Sequence, residues 1–191
     1  MNELQLTSRR LVTRSCPGLD EVFQLARREY WPPLSDETDI RQREVRFRIG
    51  PSVNLHYVED RIIVMCYVFI SGGIGNIVAG YTRMIKNAID VVPFAEILEM
   101  VDTETDPLRF GSEIIRLAVA APSAYDADVF TRISGALRHP DDRVREMAAL
   151  ATTYSSYAEF RPLLRMVVEN DPVQRVRENT ATVLEAFDQA G

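Results

Sequence analysis

The chain is poor in cysteine, histidine and lysine, and each shortage removes a class of chemistry. Cys16 and Cys66 are the only cysteines. They stand far apart with no CxxC and no second pair. Neither a disulfide framework nor a thiolate metal site is expected, and a reducing, cytoplasmic setting is the default. Cys66 sits among apolar neighbours, where a thiol is inert packing, and Cys16, before Pro17-Gly18, has no local base. His56 and His139 are the only histidines. They show no HxH, HxxxH or HExxH spacing, which speaks against a metal centre. The chain also lacks a Gly-x-Ser-x-Gly elbow. We therefore expect no catalytic residues, no metal and no cofactor, and read the chain as not an enzyme. Lys86 is the single lysine beside many arginines, a compositional bias and not a row of functional guanidiniums. The first fifteen residues hold no apolar run, so no secretory signal peptide is expected.

What is present reads as an ordinary protein of 191 residues, 46% hydrophobic and 26% charged. That length suits one domain or two small ones. A net charge of -6 and a pI near 5.1 disfavour nucleic acid and anionic membrane as partners. Ile62 to Thr82 carries no charge and is long enough to span a bilayer. Gly72, Gly73, Gly75, Asn76 and Gly80 interrupt it midway, so a buried strand, a glycine turn and a helix fit better than a membrane span.

Residues 1–16 have no clear period and read as a loose or strand-like arm. Gly18 to Tyr30 is an amphipathic helix, with Leu19, Val22, Phe23 and Ala26 on one face. Trp31-Pro32-Pro33 stops it, and the polar stretch Leu34 to Gln42 reads as a surface loop. The period then changes to two. Strands are expected near 44–49, 53–58 and 61–70, forming an antiparallel meander whose third strand is apolar on both faces. A helix from about Gly75 to Ile89 follows, and Pro93 opens a helical portion.

That portion contains a phrase that occurs twice. His139-Pro140-Asp141-Asp142-Arg143-Val144-Arg145-Glu146 returns as Asp171-Pro172-Val173-Gln174-Arg175-Val176-Arg177-Glu178. Proline fits a first helical turn. Asp171 can cap the second copy, and Asp141 and Asp142 meet the positive end of a helix dipole. Apolar stripes follow: Val144, Ala148 and Ala151, then Val176, Thr180, Val183 and Phe187. Each unit is a helix, a short Pro turn and a second helix, and such periods mark helical arrays.

These residues resemble the HEAT repeat (armadillo-like) over about 126–189, with Asp171, Val176 and Arg177 in the positions of that family's turn Asp and Val-Arg pair. Val144 and Arg145 match in the earlier copy, where His139 replaces the Asp. A degenerate copy spans 91–121, with Asp106-Pro107 as its turn. Taken with the meander read from the period-two pattern, the resemblance makes the expected fold α+β. An α/β portion, 1–90, holds a small three-stranded antiparallel sheet with flanking helices; a short HEAT-like α-solenoid, 91–191, follows.

The resemblance to HEAT arrays implies that the second helix of each unit lines a concave protein-binding face. On the side away from the core stripe lie Glu146, Ala149 and Thr153, repeated as Glu178, Ala181 and Glu185. A partly acidic groove suits a basic protein or peptide. The expected function is thus non-enzymatic protein binding, as an adaptor or regulator. An immunity-type inhibitor of a basic toxin is a second reading. A third is a phosphate or nucleotide site, enzymatic or not, at Gly72, Gly73, Gly75 and Asn76, between a strand and a helix; the turn lacks both the dinucleotide fingerprint and a P-loop. Arg143, Arg145, Arg175 and Arg177 are expected as inter-repeat ladders and not as a nucleic-acid ridge. Tyr125, Tyr154, Tyr157, Phe160 and Trp31 are candidate interface anchors or core staples. A homodimer through the sheet is also open.

Overall fold

A computed structural model describes residues 6–190, the last for its backbone alone. The chain divides into two compact units, Met1–Val92 and Pro93–Gly191.

The first unit is a six-stranded antiparallel sheet with two helices. Its elements are β1 (Leu6–Thr7), β2 (Leu11–Val12), α1 (Leu19–Arg28), β3 (Pro33–Thr38), β4 (Gln42–Gly50), β5 (Val53–Asp60), β6 (Met65–Gly72) and α2 (Gly75–Ala88). The strand order is β1-β6-β5-β4-β3, with β2 also paired to β6. Alternation aims Val45, Phe47, Ile49, Val53, Leu55, Tyr57, Val68 and Ile70 into one core with Val22, Leu25 and Ala26 of α1 and Val78 and Ile85 of α2. Phe23 meets Phe47 edge to face, with centroids 5.2 Å apart. Tyr57 accepts a hydrogen bond from the Gly18 N–H at 2.9 Å, and burial raises its phenol to about 12.

The expectation of three strands is corrected to six. The stretch expected as a loop over Leu34 to Gln42 contains most of β3, whose polarity hid it: Asp36 takes a two-pronged ion pair from Arg43 of β4, and Glu37 pairs with Arg46. It is an edge strand with Pro33 and acidic side chains, features that discourage edge-to-edge pairing. The arm supplies β1 and β2, two residues each, too short to carry a period. The final turn of the meander falls at residues 61–64, with Val64 at φ 53°, so β6 begins at Met65 rather than Arg61. The uncharged stretch from Ile62 is thus divided among this turn, β6 and α2. Among the described residues no helix is long and apolar enough to cross a membrane.

A second correction concerns the cysteines. Cys16 and Cys66 form a disulfide, with Cα atoms 5.3 Å apart. Thr13 brings the two segments together: its N–H and hydroxyl both donate to the Cys66 carbonyl, at 3.0 and 3.1 Å. Sequence spacing carries no trace of this, because a long-range pairing between the arm and β6 creates it. Disulfides persist in oxidising surroundings, so the argument for a reducing compartment loses its premise.

The second unit is helical: α3 (Phe94–Thr103), α4 (Pro107–Val119), α5 (Ala127–Ala136), α6 (Asp142–Ser155), a 3-10 turn (Ala158–Phe160), α7 (Arg161–Asn170) and α8 (Gln174–Ala190). Aspartates cap three of the starts. Asp106 accepts from Arg109 N–H, Asp126 from Asp128 and Val129 N–H, and Asp141 from Arg143 N–H. The expected stripes are buried at Val144, Ala148, Ala151, Val176 and Thr180. Gly111 lets α4 lie against α6, since a Cβ there would stand 2.5 Å from the Met147 sulfur.

The expectation of a short α-solenoid does not hold, because the helices do not form a clear one. α4 packs extensively on α6 and α7 on α8, while α4–α5 and α5–α6 meet more thinly. Between α6 and α7 the regular step is interrupted by Ser156 in the left-handed region and by the 3-10 turn. The aromatics sort themselves here. Tyr157 and Phe160 are buried and stack on each other, Phe130 stacks on Phe160, and the half-exposed Tyr125 meets Tyr157 at a tilt. Within the first unit, Trp31 packs edge-on to Tyr81.

Candidate functional site

The two repeated phrases lie beside each other, and charged groups fasten them. The Arg145 guanidinium donates to both carboxylate oxygens of Asp171, at 2.6 and 2.9 Å, and to the carbonyls of His139 and Pro140 at 2.9 and 3.0 Å. One cation therefore clamps the turn before α6 to the turn before α8. Asp171 also caps its own turn by accepting from Val173 N–H at 2.9 Å. The Arg145 guanidinium holds the Asp171 carboxyl below the usual carboxylate range. On the surface Arg175 reaches Asp142 at 3.0 Å and Glu146 at 3.1 Å.

Small residues do the rest. Ala148 and Ala151 let the helices approach, and a shallow groove of about 340 Å³ remains between α6 and α8. Its walls are Glu146, Met147, Ala149 and Leu150 from α6 and Asn179, Thr182 and Val183 from α8. Of the six positions expected on a binding face, Glu146 and Ala149 line it. Ala149 is buried and forms the floor. Glu146, partly exposed, is held by Arg175 and by a 2.7 Å hydrogen bond from Asn179. Thr153, Glu178 and Glu185 are exposed on the same two helices and Ala181 is half-buried, but none of them lines the groove. Met147, Leu150, Asn179 and Thr182 were missed, because they flank the expected stripe and show their role only once α6 and α8 are set side by side.

Gly72 fits its place by size. A Cβ there would approach methyls of Val53 and Val78 at 3.2 Å. Gly73, Gly75 and Asn76 are exposed at the start of α2, whose cap residue Ile74 offers no side-chain acceptor. Among the described residues no glycine has positive φ, so the turn does not depend on left-handed backbone.

A third group has no signal in the sequence. The His56 ring lies 2.6 Å from a Glu44 oxygen through Nδ1 and 2.7 Å from the Ser71 hydroxyl through Nε2. It also stacks on Phe69 with centroids 4.3 Å apart. Glu44, His56 and Ser71 stand on β4, β5 and β6. With Nδ1–H donating to the carboxylate, Nε2 accepts the serine proton, which is the connectivity of an acyl-transfer triad. The surroundings do not suit that chemistry. Ser71 is 1% exposed, and β6 is paired on both sides, by β5 and by β1. Its N–H groups serve the ladder and are not gathered into an oxyanion hole. The arrangement is a buried polar relay joining three strands.

Comparison with known protein families, with characterised proteins and with solved structures finds no match. The site is therefore read on its own chemistry. Among the described residues no three His, Cys, Asp or Glu side chains gather in a way that could hold a metal. The groove between α6 and α8 combines the apolar side chains of Met147, Leu150 and Val183 with the carboxylate of Glu146.

Proposed function

We propose that this chain is a non-enzymatic binding protein whose α6–α8 groove takes a basic segment of another protein. The observation that carries this reading is the groove itself. Met147, Leu150 and Val183 offer apolar contact in it, and Glu146 lies at its wall. Glu178 and Glu185 are exposed further along α8. An apolar seat with acidic groups around it suits a peptide that brings an aliphatic anchor and flanking Lys or Arg. The likeness of the Asp171-Pro172…Val176-Arg177 turn to the HEAT motif supports the reading at the level of the local sequence. The clamp of Arg145 supports it as well, because a surface held rigid before binding loses less entropy on binding.

The test is fluorescence anisotropy with a panel of short peptides, basic and acidic, each with and without a central leucine. Basic peptides bearing the leucine should bind, Leu150→Asp should abolish binding, and Glu178→Lys with Glu185→Lys should weaken it roughly tenfold. Equal binding of acidic and basic peptides, or indifference to Leu150→Asp, overturns the reading.

A further inference from the structure

Two turns of the first unit lie side by side at one end of its sheet. One joins β3 to β4 through Asp39, Ile40 and Arg41, and the other joins β5 to β6 through Arg61, Ile62, Ile63 and Val64. The pairing of β4 with β5 sets Gln42 opposite Asp60, and the turns beyond them are tied directly. The Arg61 N–H donates to the Arg41 carbonyl at 2.8 Å, and the Arg61 guanidinium donates to the Asp39 carbonyl at 2.8 Å. β1 meets β6 at the far end of that strand, with Leu6 opposite Gly72.

Both tips carry branched aliphatic side chains where Gly, Asn, Asp and Ser are the usual turn residues. Ile40 is 90% exposed, Val64 81% and Ile62 54%. Single apolar residues scattered over a surface need no explanation, but three on adjoining tips do. Val64 adds a strain. Its φ of 53° lies in the left-handed region, which suits Gly or Asn and opposes a β-branched side chain. Exposed as it is, the valine gains no burial within the chain to offset that cost. The polar groups of the tips are meanwhile occupied. The Asp39 carboxylate accepts from Arg41 and Gln42 N–H at 2.6 and 2.7 Å, and the Asp60 carboxylate accepts from Ile62 and Ile63 N–H at 3.0 and 3.3 Å. Amides satisfied from within lose little when water is withdrawn from them. The carboxylates thus face their own turns, whereas Arg41 and Arg61 are exposed.

We propose that the two tips seat the sheet unit on the surface of a zwitterionic phospholipid bilayer. Ile40, Ile62 and Val64 enter the boundary between headgroups and acyl chains, and Arg41 and Arg61, each next in sequence to one of these aliphatics, meet the lipid phosphates at that depth. A net charge of -6 opposes an anionic surface, but headgroups without net charge raise no such barrier. None of the three apolar side chains is aromatic, and valine is under-represented among the residues that anchor protein interfaces. The contact is peripheral, asks for no spanning helix, and is independent of the α6–α8 reading.

The experiment is co-sedimentation of the full chain with phosphatidylcholine vesicles at low and at physiological salt. The bound fraction should rise with lipid and change little with salt, since apolar insertion is not screened. Ile40→Asp combined with Val64→Asn should weaken partitioning by roughly tenfold or more. Both positions are exposed, so circular dichroism should be unchanged, and Leu108→Asp, an exposed apolar position of the other unit, serves as a control with unaltered partitioning. Val64→Asn alone should weaken binding and yet raise the unfolding temperature, because Asn accepts the left-handed backbone; a side chain kept for the fold would lower it. No sedimentation at millimolar lipid, partitioning unmoved by the double substitution, or binding to anionic vesicles alone overturns the proposal. So does a dimer that the double substitution dissociates in place of vesicle binding, which would assign the tips to a second copy of the chain.

Discussion

Substitution of Asp171 is the sharpest test of how the helical unit holds together. The Asp171 and Arg145 side chains are 3% and 9% exposed, so the pair is buried. Removing one partner of a buried, hydrogen-bonded ion pair costs about 3–5 kcal/mol, because the other charge is left in a poorly solvating site. Asp171→Asn keeps an acceptor for Val173 N–H and removes only the charge, so about 3 kcal/mol is expected. Asp171→Ala also removes the cap and should cost about 1 kcal/mol more. Total stabilities of about 5–15 kcal/mol make this a large fraction. Urea unfolding followed by helical circular dichroism measures it.

A double-mutant cycle with Arg145→Met locates the interaction. In the Asp171→Asn background, loss of Arg145 should cost far less than in the native chain. An Asp171→Asn cost under about 1 kcal/mol would place the pair with ordinary surface bridges and refute the clamp. The pH dependence gives a second readout. The folded carboxyl titrates below its ordinary value, so between the two values the unfolded chain binds more protons. The contribution is complete above the ordinary carboxylate pKa of about 3.9 and fades as pH falls through the folded value. The Asn variant should lack this part of the acid sensitivity.

Alkylation of the unfolded, unreduced protein should find no free thiol at Cys16 or Cys66, and reduction should destabilise the sheet unit by roughly 2–4 kcal/mol; two alkylated thiols without reductant would contradict the bridge. Gly111→Ala should destabilise by about 1–3 kcal/mol as its methyl meets the Met147 sulfur, and relief by Met147→Ala in the same chain is the check. A fluorophosphonate should leave Ser71 unlabelled, whereas His56→Ala should cost about 1–3 kcal/mol by stranding buried polar groups; labelling that disappears in Ser71→Ala would make the relay a catalytic triad after all.

The parts of the fold legible in the sequence are those whose cause is local. Val45, Phe47 and Ile49 alternate because one face of β4 is core, and Val144, Ala148 and Ala151 recur because one face of α6 is core. The expected meander and helix pairs came from such patterns. What escaped depends on partners distant in sequence. β3 is polar because its side chains answer Arg43 and Arg46 across the ladder, and Leu6–Thr7 and Leu11–Val12 become strands only against β6. The candidate groove was half legible for the same reason. Glu146 and Ala149 could be placed on a helix face, but Asn179 and Thr182 join them only when α8 is laid against α6.

The abundance of arginine, taken from composition as a bias without function, separates in the structure by what each guanidinium meets. Arg43 and Arg46 fasten an edge strand, Arg132 reaches Asp102 between α5 and α3, and Arg145 and Arg175 tie α6 to the turn and helix that follow α7. In each case a carboxylate answers the charge, and the protein gains geometry from it. Salt separates the buried pair from the exposed ones: raising ionic strength should weaken the Arg175–Asp142 bridge while leaving the Arg145–Asp171 coupling energy nearly unchanged, because screening acts on charges open to solvent and far less on a buried pair.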